Sequence, residues 1–444
     1  MPINFPNDVR SANGPREENK GMPRFVHVLV VSFLALFVGL PSISAAEPSN
    51  SVGKPDVFNI VALGDSLTVG YEKGMTDKSV PYGYADQIYE QALYHGRATL
   101  SNYAILGLTS SGLINLLQGA ETGKKLAADD LQDFAGFPDP RTKQQAESVA
   151  AKSAEIAPAL ADADLVILTV GGNDFGGFIK SMVLESTETA KTILQNDFDG
   201  VMNNYTANVD TLMREIHKLA PNARIVLADQ YLPLWEDHPL YESLLGAVDR
   251  LAGKLDELAA KLNRDGVPLS IAHVGDKFAH HVREYTYVKS ILDFDNHPRQ
   301  DGYAVMGEAF ADVVWHDYLV PAPKPEGVTL SVIVNGQELA YKPINKKNTN
   351  FLPIRELAAA VGADFKWTQE TKTAVFSTGN HQVVVTVDAN EMIVDGAKTP
   401  LATPAYFQKI GKETKTYVPI AAIAKALDFE VVYRQSLQAA FINA

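Results

Sequence analysis

The sequence predicts an α/β protein: a doubly wound parallel sheet with helices on both faces, followed by a smaller α+β C-terminal domain made of two similar units. Three observations predict it. From Asp56 to about Tyr318, β-prone apolar runs alternate with helical patterns, the arrangement that builds parallel sheets through right-handed crossovers. The run Leu165-Val166-Ile167-Leu168-Thr169-Val170 is continuously apolar in character, the mark of a strand covered on both faces. Beyond Gly327 the chain turns to short strands and turns carrying an internal repeat, in which the pattern that starts at Phe351 recurs from Tyr417.

A chain of 444 residues predicts two domains once a leader is set aside. Residues 1–46 read as that leader. Arg24 precedes an apolar run from Phe25 to Leu40, then Pro41 and the small residues Ser42 to Ala46, the pattern of a secretory signal peptide cut after Ala46. Met22 reads as the true start, because the residues before it are polar. A membrane anchor is the alternative, although the run from Phe25 to Leu40 is short for a span. Loss of the leader takes the formal charge from -14 to -15. A chain so acidic repels phosphate backbones, which excludes nucleic acid as a partner. With no cysteine, an exported chain has neither disulfides nor a thiolate metal site, so both domains are expected to stand on their cores alone.

Taken in order, the first strand is Val57–Leu63, cut off by Gly64-Asp65-Ser66. Glycine lets the backbone turn a sharp corner and leaves Ser66 at the carboxyl end of a strand, where open α/β sheets bind ligands; a plain helix-capping role is the bland alternative. A helix through Tyr84, Ile88, Ala92 and Leu93 leads to a strand near Thr99–Leu106, which ends at Gly107. A short helix follows through Leu113, Leu116 and Leu117. Residues 119–141 are mixed and read as a lid or surface excursion. A helix through Ala150, Ile156 and Leu160 precedes the 165–170 strand, which ends at Gly171-Gly172-Asn173-Asp174. Helix 203–220, strand 224–228, helix 240–264, strand 269–274 and a helix after Pro298 complete the region assigned to residues 56–318. Residues 319–327 are a proline-rich, semi-rigid linker.

The region from 328 to 444 repeats itself. Phe351–Trp367 aligns with Tyr417–Tyr433, pairing Pro353 with Pro419, Leu357 with Ile423 and Trp367 with Tyr433. Each unit reads as a helix packed on a strand, the two sharing one core, with Trp367 and Tyr433 expected inside it rather than forming a sugar platform.

Chemistry-bearing residues sit at strand ends. Ser66 is a poor nucleophile until a base removes its proton, and His297, in Asp293-Phe294-Asp295-Asn296-His297-Pro298, can serve near neutral pH. A carboxylate, Asp295 or Asp293, would hold the imidazole in the right tautomer. The N–H groups of Ser66 and Gly107 and the amide of Asn173 can form an oxyanion hole. Asp65 and Asp174 read as structural hydrogen-bonders. Tyr71, Tyr82 and Tyr84 line either the cleft or the core. His280-His281 lack a nearby carboxylate cluster and read as surface.

This constellation resembles the SGNH, or GDSL, hydrolase family. Gly64-Asp65-Ser66-Leu67 matches its namesake block, Asn102 to Gly107 its second, Gly171-Gly172-Asn173-Asp174 its third and His297-Pro298 its last. The wording around the blocks resembles Bacillus-type spore-germination lipases and lysophospholipases. The resemblance implies a flavodoxin-like sheet and a metal-independent, cofactor-free Ser-His-Asp esterase or lipase. In the family the aspartate lies three residues before the histidine, where this chain has Phe294, so Asp295, Asp293 and a backbone carbonyl stay open. Residues 328–444 resemble the copper amine oxidase N-terminal-like (stalk) domain of Gram-positive surface proteins. Only His381 is available there as an imidazole ligand, so copper is not implied. The expected substrate is a small-molecule or lipid ester, with O-acetylated wall or capsule polysaccharide as the rival. The C-terminal domain would hold a cell-wall polymer, and a non-catalytic surface binding protein is the alternative from outside enzymology. No residue of the four blocks lies beyond the linker, which predicts a stalk dispensable for catalysis.

Overall fold

The computed structural model describes residues 56–444 other than 77, 138, 184, 291–293 and 380. The leader and Asp293 therefore lie outside the described residues.

Strands β1 (Val57–Gly64), β2 (Arg97–Asn102), β3 (Leu165–Thr169), β4 (Arg224–Ala228) and β5 (Leu269–Ala272) form one parallel sheet in the order β2-β1-β3-β4-β5. This is the flavodoxin-like doubly wound order, with its switch point between β1 and β3. Strand alternation explains why the runs are apolar throughout. Val61, Leu63, Val166, Leu168, Ile225 and Leu227 enter one apolar layer, while Ile60, Ala62, Leu165, Ile167, Val226 and Ala228 enter the other.

The helices that cover these faces are α1 (Ser66–Val69), α2 (Tyr84–His95), α3 (Ser110–Glu121), α4 (Ala128–Leu131), α5 (Pro140–Ala150), α6 (Ser153–Ala161), α7 (Gly172–Val183), α8 (Thr187–Leu219), α9 (Tyr241–Arg264), α10 (Val274–Phe278), α11 (Val282–Tyr285) and α12 (Gln300–Trp315). The helix expected through Ala150, Ile156 and Leu160 is two, α5 and α6, β5 stops at Ala272 rather than at 274, and two further boundaries differ from expectation. Helix α8 starts at Thr187 rather than at 203, because Ser186 caps its N-terminus through the Thr189 N–H and Ala190, Leu194, Phe198 and Met202 extend its apolar stripe. Strand β2 stops at Asn102, and residues 103–106 peel away while still donating from Tyr103 N to Ala62 O (2.8 Å) and from Ile105 N to Gly64 O (2.8 Å). That departure delivers Gly107 beside the end of β1. The mixed stretch at 119–141 holds α4 and the start of α5, which opens on Pro140 behind an Asp139 cap.

The C-terminal module contains β6 (Ser331–Val334), β7 (Gln337–Glu338), β8 (Ile344–Lys346), β9 (Thr349–Pro353), α13 (Ile354–Ala360), β10 (Asp364–Thr368), β11 (Thr373–Thr378), β12 (His381–Thr386), β13 (Glu391–Val394), β14 (Ala397–Pro400), β15 (Tyr406–Ile410), β16 (Glu413–Pro419), α14 (Ile420–Ala426), β17 (Glu430–Arg434) and β18 (Ala439–Asn443). The two repeat units face each other directly. Strands β9 and β16 pair antiparallel, Tyr417 against Pro353 and Pro419 against Phe351. Leu357 and Val361 of one unit and Ile423 and Leu427 of the other share one cluster. Trp367 packs partly against that cluster, but Tyr433 is 57% exposed. Its hairpin partner β18 turns toward α2 instead, so the second aromatic of the repeat is left outside the core.

The module has a core of its own, but the two regions are not wholly separate. Ile333, Ala439 and Phe441 join the apolar layer that contains Tyr84, Ile88, Ala92 and Tyr94 of α2, and Phe441 meets the Tyr94 ring edge-on at 5.0 Å. Gly336 is required by this close approach, since a Cβ there would sit 2.3 Å from Tyr94 O. Asn443 Nδ2 donates to Leu93 O (2.9 Å) and Gly96 O (2.7 Å), closing the unpaired end of α2. The linker is strapped down as well: Gln91 holds both the N–H and the C=O of Leu319, and Lys324 Nζ donates to Leu437 O.

Candidate active site

Gly64 ends β1 at φ +121°, and a Cβ there would lie 2.0 Å from Thr169 O. Only glycine lets the chain turn this close to β3. Asp65 then caps α1, its Oδ1 accepting from Leu67 N (3.0 Å) and the Thr169 hydroxyl (2.7 Å), while its own N–H donates to Thr169 O (3.0 Å). Thr68 extends the buried network to Tyr84 (2.7 Å) and Thr169 (2.8 Å). Burial pushes the Asp65 carboxyl up to about 6, against the pull of the Thr169 and Leu67 hydrogen bonds. Both aspartates expected to be structural are so placed: Asp174 accepts from the Ser110 N–H (3.0 Å) and hydroxyl, tying the β3 turn to α3. Burial raises its pKa.

Ser66 is the first residue of α1 and is half-buried. Its Oγ lies 2.9 Å from His297 Nε2. His297 precedes α12 in a loop held from three sides. Thr286 bridges Pro298, Tyr287 N donates to His297 O (3.1 Å), and the Tyr231 hydroxyl beyond β4 donates to Asn296 O. On the other side of the ring, Nδ1 lies 2.7 Å from Asp295 Oδ1. The same oxygen accepts the His297 backbone N–H at 3.1 Å. This is an Asx turn, and it explains how a carboxylate two residues away reaches the imidazole without a long loop. Burial raises the Asp295 pKa, but the hydrogen bonds and charge of His297 outweigh it and hold the carboxyl below its usual range. Phe294 is 44% exposed.

Gly107 lies in the second strand-end turn, where Gln132 Nε2 donates to its carbonyl (2.8 Å) and Gln145 Oε1 accepts the neighbouring Leu106 N–H (3.0 Å). Among the described residues neither the Ser66 nor the Gly107 N–H has a protein acceptor. Asn173, at the start of α7, donates from Nδ2 to Leu108 O (2.9 Å). One amide hydrogen of Asn173 thus positions the side chain on the Gly107 turn, and the other is left over.

The three tyrosines divide. Tyr71 meets the His297 ring edge-on at 4.5 Å, whereas Tyr84 is fully buried in the core and Tyr82 donates to Glu90. Sequence reasoning missed Glu72, Tyr287 and Gln300. Glu72 accepts from the Tyr287 hydroxyl (2.6 Å) and Gln300 Nε2 (2.9 Å), joining the 71–76 loop to the His297 loop. No local pattern marks partners so distant along the chain. Tyr231 and Thr169 had one signal, their position at or just past a strand's carboxyl end.

Residues 62–305 match a family described as GDSL-like Lipase/Acylhydrolase. Residues 333–442 match one described as Copper amine oxidase N-terminal domain. A comparison with curated proteins found no match. Similar solved structures include a phospholipase A1 from Streptomyces albidoflavus NA297, at 16% identity over 58% of this chain and 98% of that one, TM-score 0.39. An extracellular lipase from Streptomyces rimosus is 18% identical over 57% of this chain and 99% of its own, TM-score 0.38. A lipase from a goat rumen metagenome is 17% identical over 57% and 95%, TM-score 0.35.

Proposed function

The chain belongs to the GDSL-like lipase/acylhydrolase family, and from that premise we propose that it is a serine esterase or lipase working through an acyl-enzyme. The observation that carries the reading is the hydrogen-bonded series Ser66 Oγ, His297 Nε2 at 2.9 Å, and His297 Nδ1 to Asp295 at 2.7 Å. Ser66 Oγ attacks the ester carbonyl carbon as its proton passes to Nε2. The same proton then goes to the departing alkoxide, and water repeats the sequence to free the acid. Asp295, held ionised, keeps Nδ1–H in place and balances the imidazolium. The carbonyl oxygen gains charge in the tetrahedral intermediate, and the N–H groups of Ser66 and Gly107 with the Asn173 amide meet it. Each such donor is worth roughly 3 kcal/mol when removed.

In this reading residues 56–318 are the catalytic domain, 319–327 a linker and 328–444 the appended module. Residues 1–46 are a leader that exports the enzyme to act on acyl esters outside the cell, with the module meeting a wall polymer. Among the described residues no helix is long and apolar enough to cross a membrane.

Ser66→Ala is expected to abolish hydrolysis of a chromogenic ester series from acetyl to palmitoyl, with unchanged circular dichroism. Retained turnover in the alanine variant removes Ser66 as nucleophile. A wild-type profile confined to acetyl esters would move the substrate to O-acetylated polysaccharide.

A further inference from the structure

We propose that the C-terminal module is a working part of the hydrolase site: Arg434, through Glu90 and Tyr82, holds the 70–83 segment that carries Tyr71 and Glu72 against the His297 loop. The inference rests on the reading above for what the site does, and on independent contacts for how it is held.

Glu90 lies on α2, 1% exposed. A carboxylate so buried needs partners, and an unpaired one would be costly. Its partners come from two directions. From the module, Arg434 Nε donates to Oε1 (2.8 Å) and so does the Ser436 hydroxyl (2.5 Å). From the catalytic side, the Tyr82 hydroxyl donates to Oε2 (2.7 Å). Arg434 Nη2 also reaches Asp86 (3.3 Å), whose other oxygen accepts the Gly83 N–H (3.2 Å) at the start of α2. The module therefore grips both the helix start and the residue just before it.

Tyr82 closes the segment that begins at the end of α1. Its carbonyl accepts from Gln300 Nε2 (3.2 Å), and the same nitrogen donates to Glu72 Oε2 (2.9 Å). Glu72 in turn takes the Tyr287 hydroxyl, and Tyr287 N holds His297 O. Tyr71, next to Glu72, packs on the imidazole and has its carbonyl held by the Tyr303 hydroxyl (2.6 Å). Arg434 and Tyr82 are positioning residues; neither touches Ser66 or His297.

The test measures kcat and KM on a short soluble ester for full-length Arg434→Met, Tyr82→Phe, their double variant and Arg434→Lys. Lys398→Met, an exposed change elsewhere in the module, is the control. Hydrogen exchange of amides 70–83 is read in parallel. Each single variant is expected to lower kcat about 10-fold with KM within about 2-fold, because misplacing a supporting group costs rate before binding. The double variant is expected to fall no further than the worse single, since both cut one series of contacts. Arg434→Lys should recover part of the rate, and exchange at 70–83 should quicken in Arg434→Met and Tyr82→Phe but not in Lys398→Met. A purely structural role would lower the melting midpoint and leave kcat at 25 °C untouched; that result overturns the proposal, as do additive losses or unchanged exchange. If the wild type hydrolyses no ester, the functional reading fails, and the exchange rates alone decide this one.

Discussion

In the α/β region all of β3 is buried, whereas in the C-terminal module β11 and β12 bury alternate residues and leave the others half-exposed or exposed. The first pattern belongs to a parallel sheet covered twice, the second to antiparallel hairpins with one open face. A strand buried on both sides meets solvent only at its ends, so polar chemistry collects at the carboxyl edge, where Ser66, Gly107 and Asn173 follow three strands. A half-open sheet spreads its polar residues along its length. Any influence of the module on the chemistry must then pass through its contacts with α2, which are the apolar layer they share and the hydrogen bonds of Arg434 and Ser436 to Glu90.

The largest loss is expected on the catalytic side. Asp295→Asn is expected to lower kcat by roughly 10³–10⁴-fold with little change in KM, by loss of the tautomer-fixing carboxylate. Asp293→Asn, assayed on the same ester, is expected to cost little. A large loss at Asp293 alone would transfer the role, and small losses at both would indicate a Ser–His dyad.

Two phenylalanines distinguish the module's own core, where Phe376 lies, from the layer it shares with α2, where Phe441 lies. Each change to alanine is expected to cost about 3–5 kcal/mol. Both should lower the temperature at which esterase activity is lost, in one cooperative transition by calorimetry. Two separate transitions, with activity surviving the first in Phe376→Ala, would show that the regions melt independently.

The smallest effect concerns Asp65. Its carboxyl is raised from 3.8 to about 6 on folding, so the native state holds the proton more tightly than the unfolded chain. Stability from this group is therefore greatest below the unfolded value and is lost as pH rises through about 6. Asparagine can accept both hydrogen bonds without the charge, so Asp65→Asn should match or exceed the wild type at pH 7 by at most about 3 kcal/mol. That gain should fade in urea titrations run below the unfolded value of 3.8. Destabilisation of the variant at pH 7 would mean the charge itself braces the turn.

The fold was legible because burial leaves a local trace. Val166 and Ile167 announce two covered faces, and Gly64 announces a tight turn. The return of the Phe351–Trp367 pattern at Tyr417–Tyr433 announces two units that share a core. The positions of Ser66 and Asn173 after β1 and β3 followed from the same kind of trace, whereas β2 stops at Asn102, short of Gly107. Other features had none. The Asx turn that brings Asp295 to His297 depends on where Tyr231 and Tyr287 hold the loop. The bond from Arg434 to Glu90 joins elements from opposite ends of the described chain. Periodicity says which face of an element is buried, and it is silent about which distant surface buries it. That choice was made only by the tertiary packing, which set β18 against α2 and left Tyr433 in solvent.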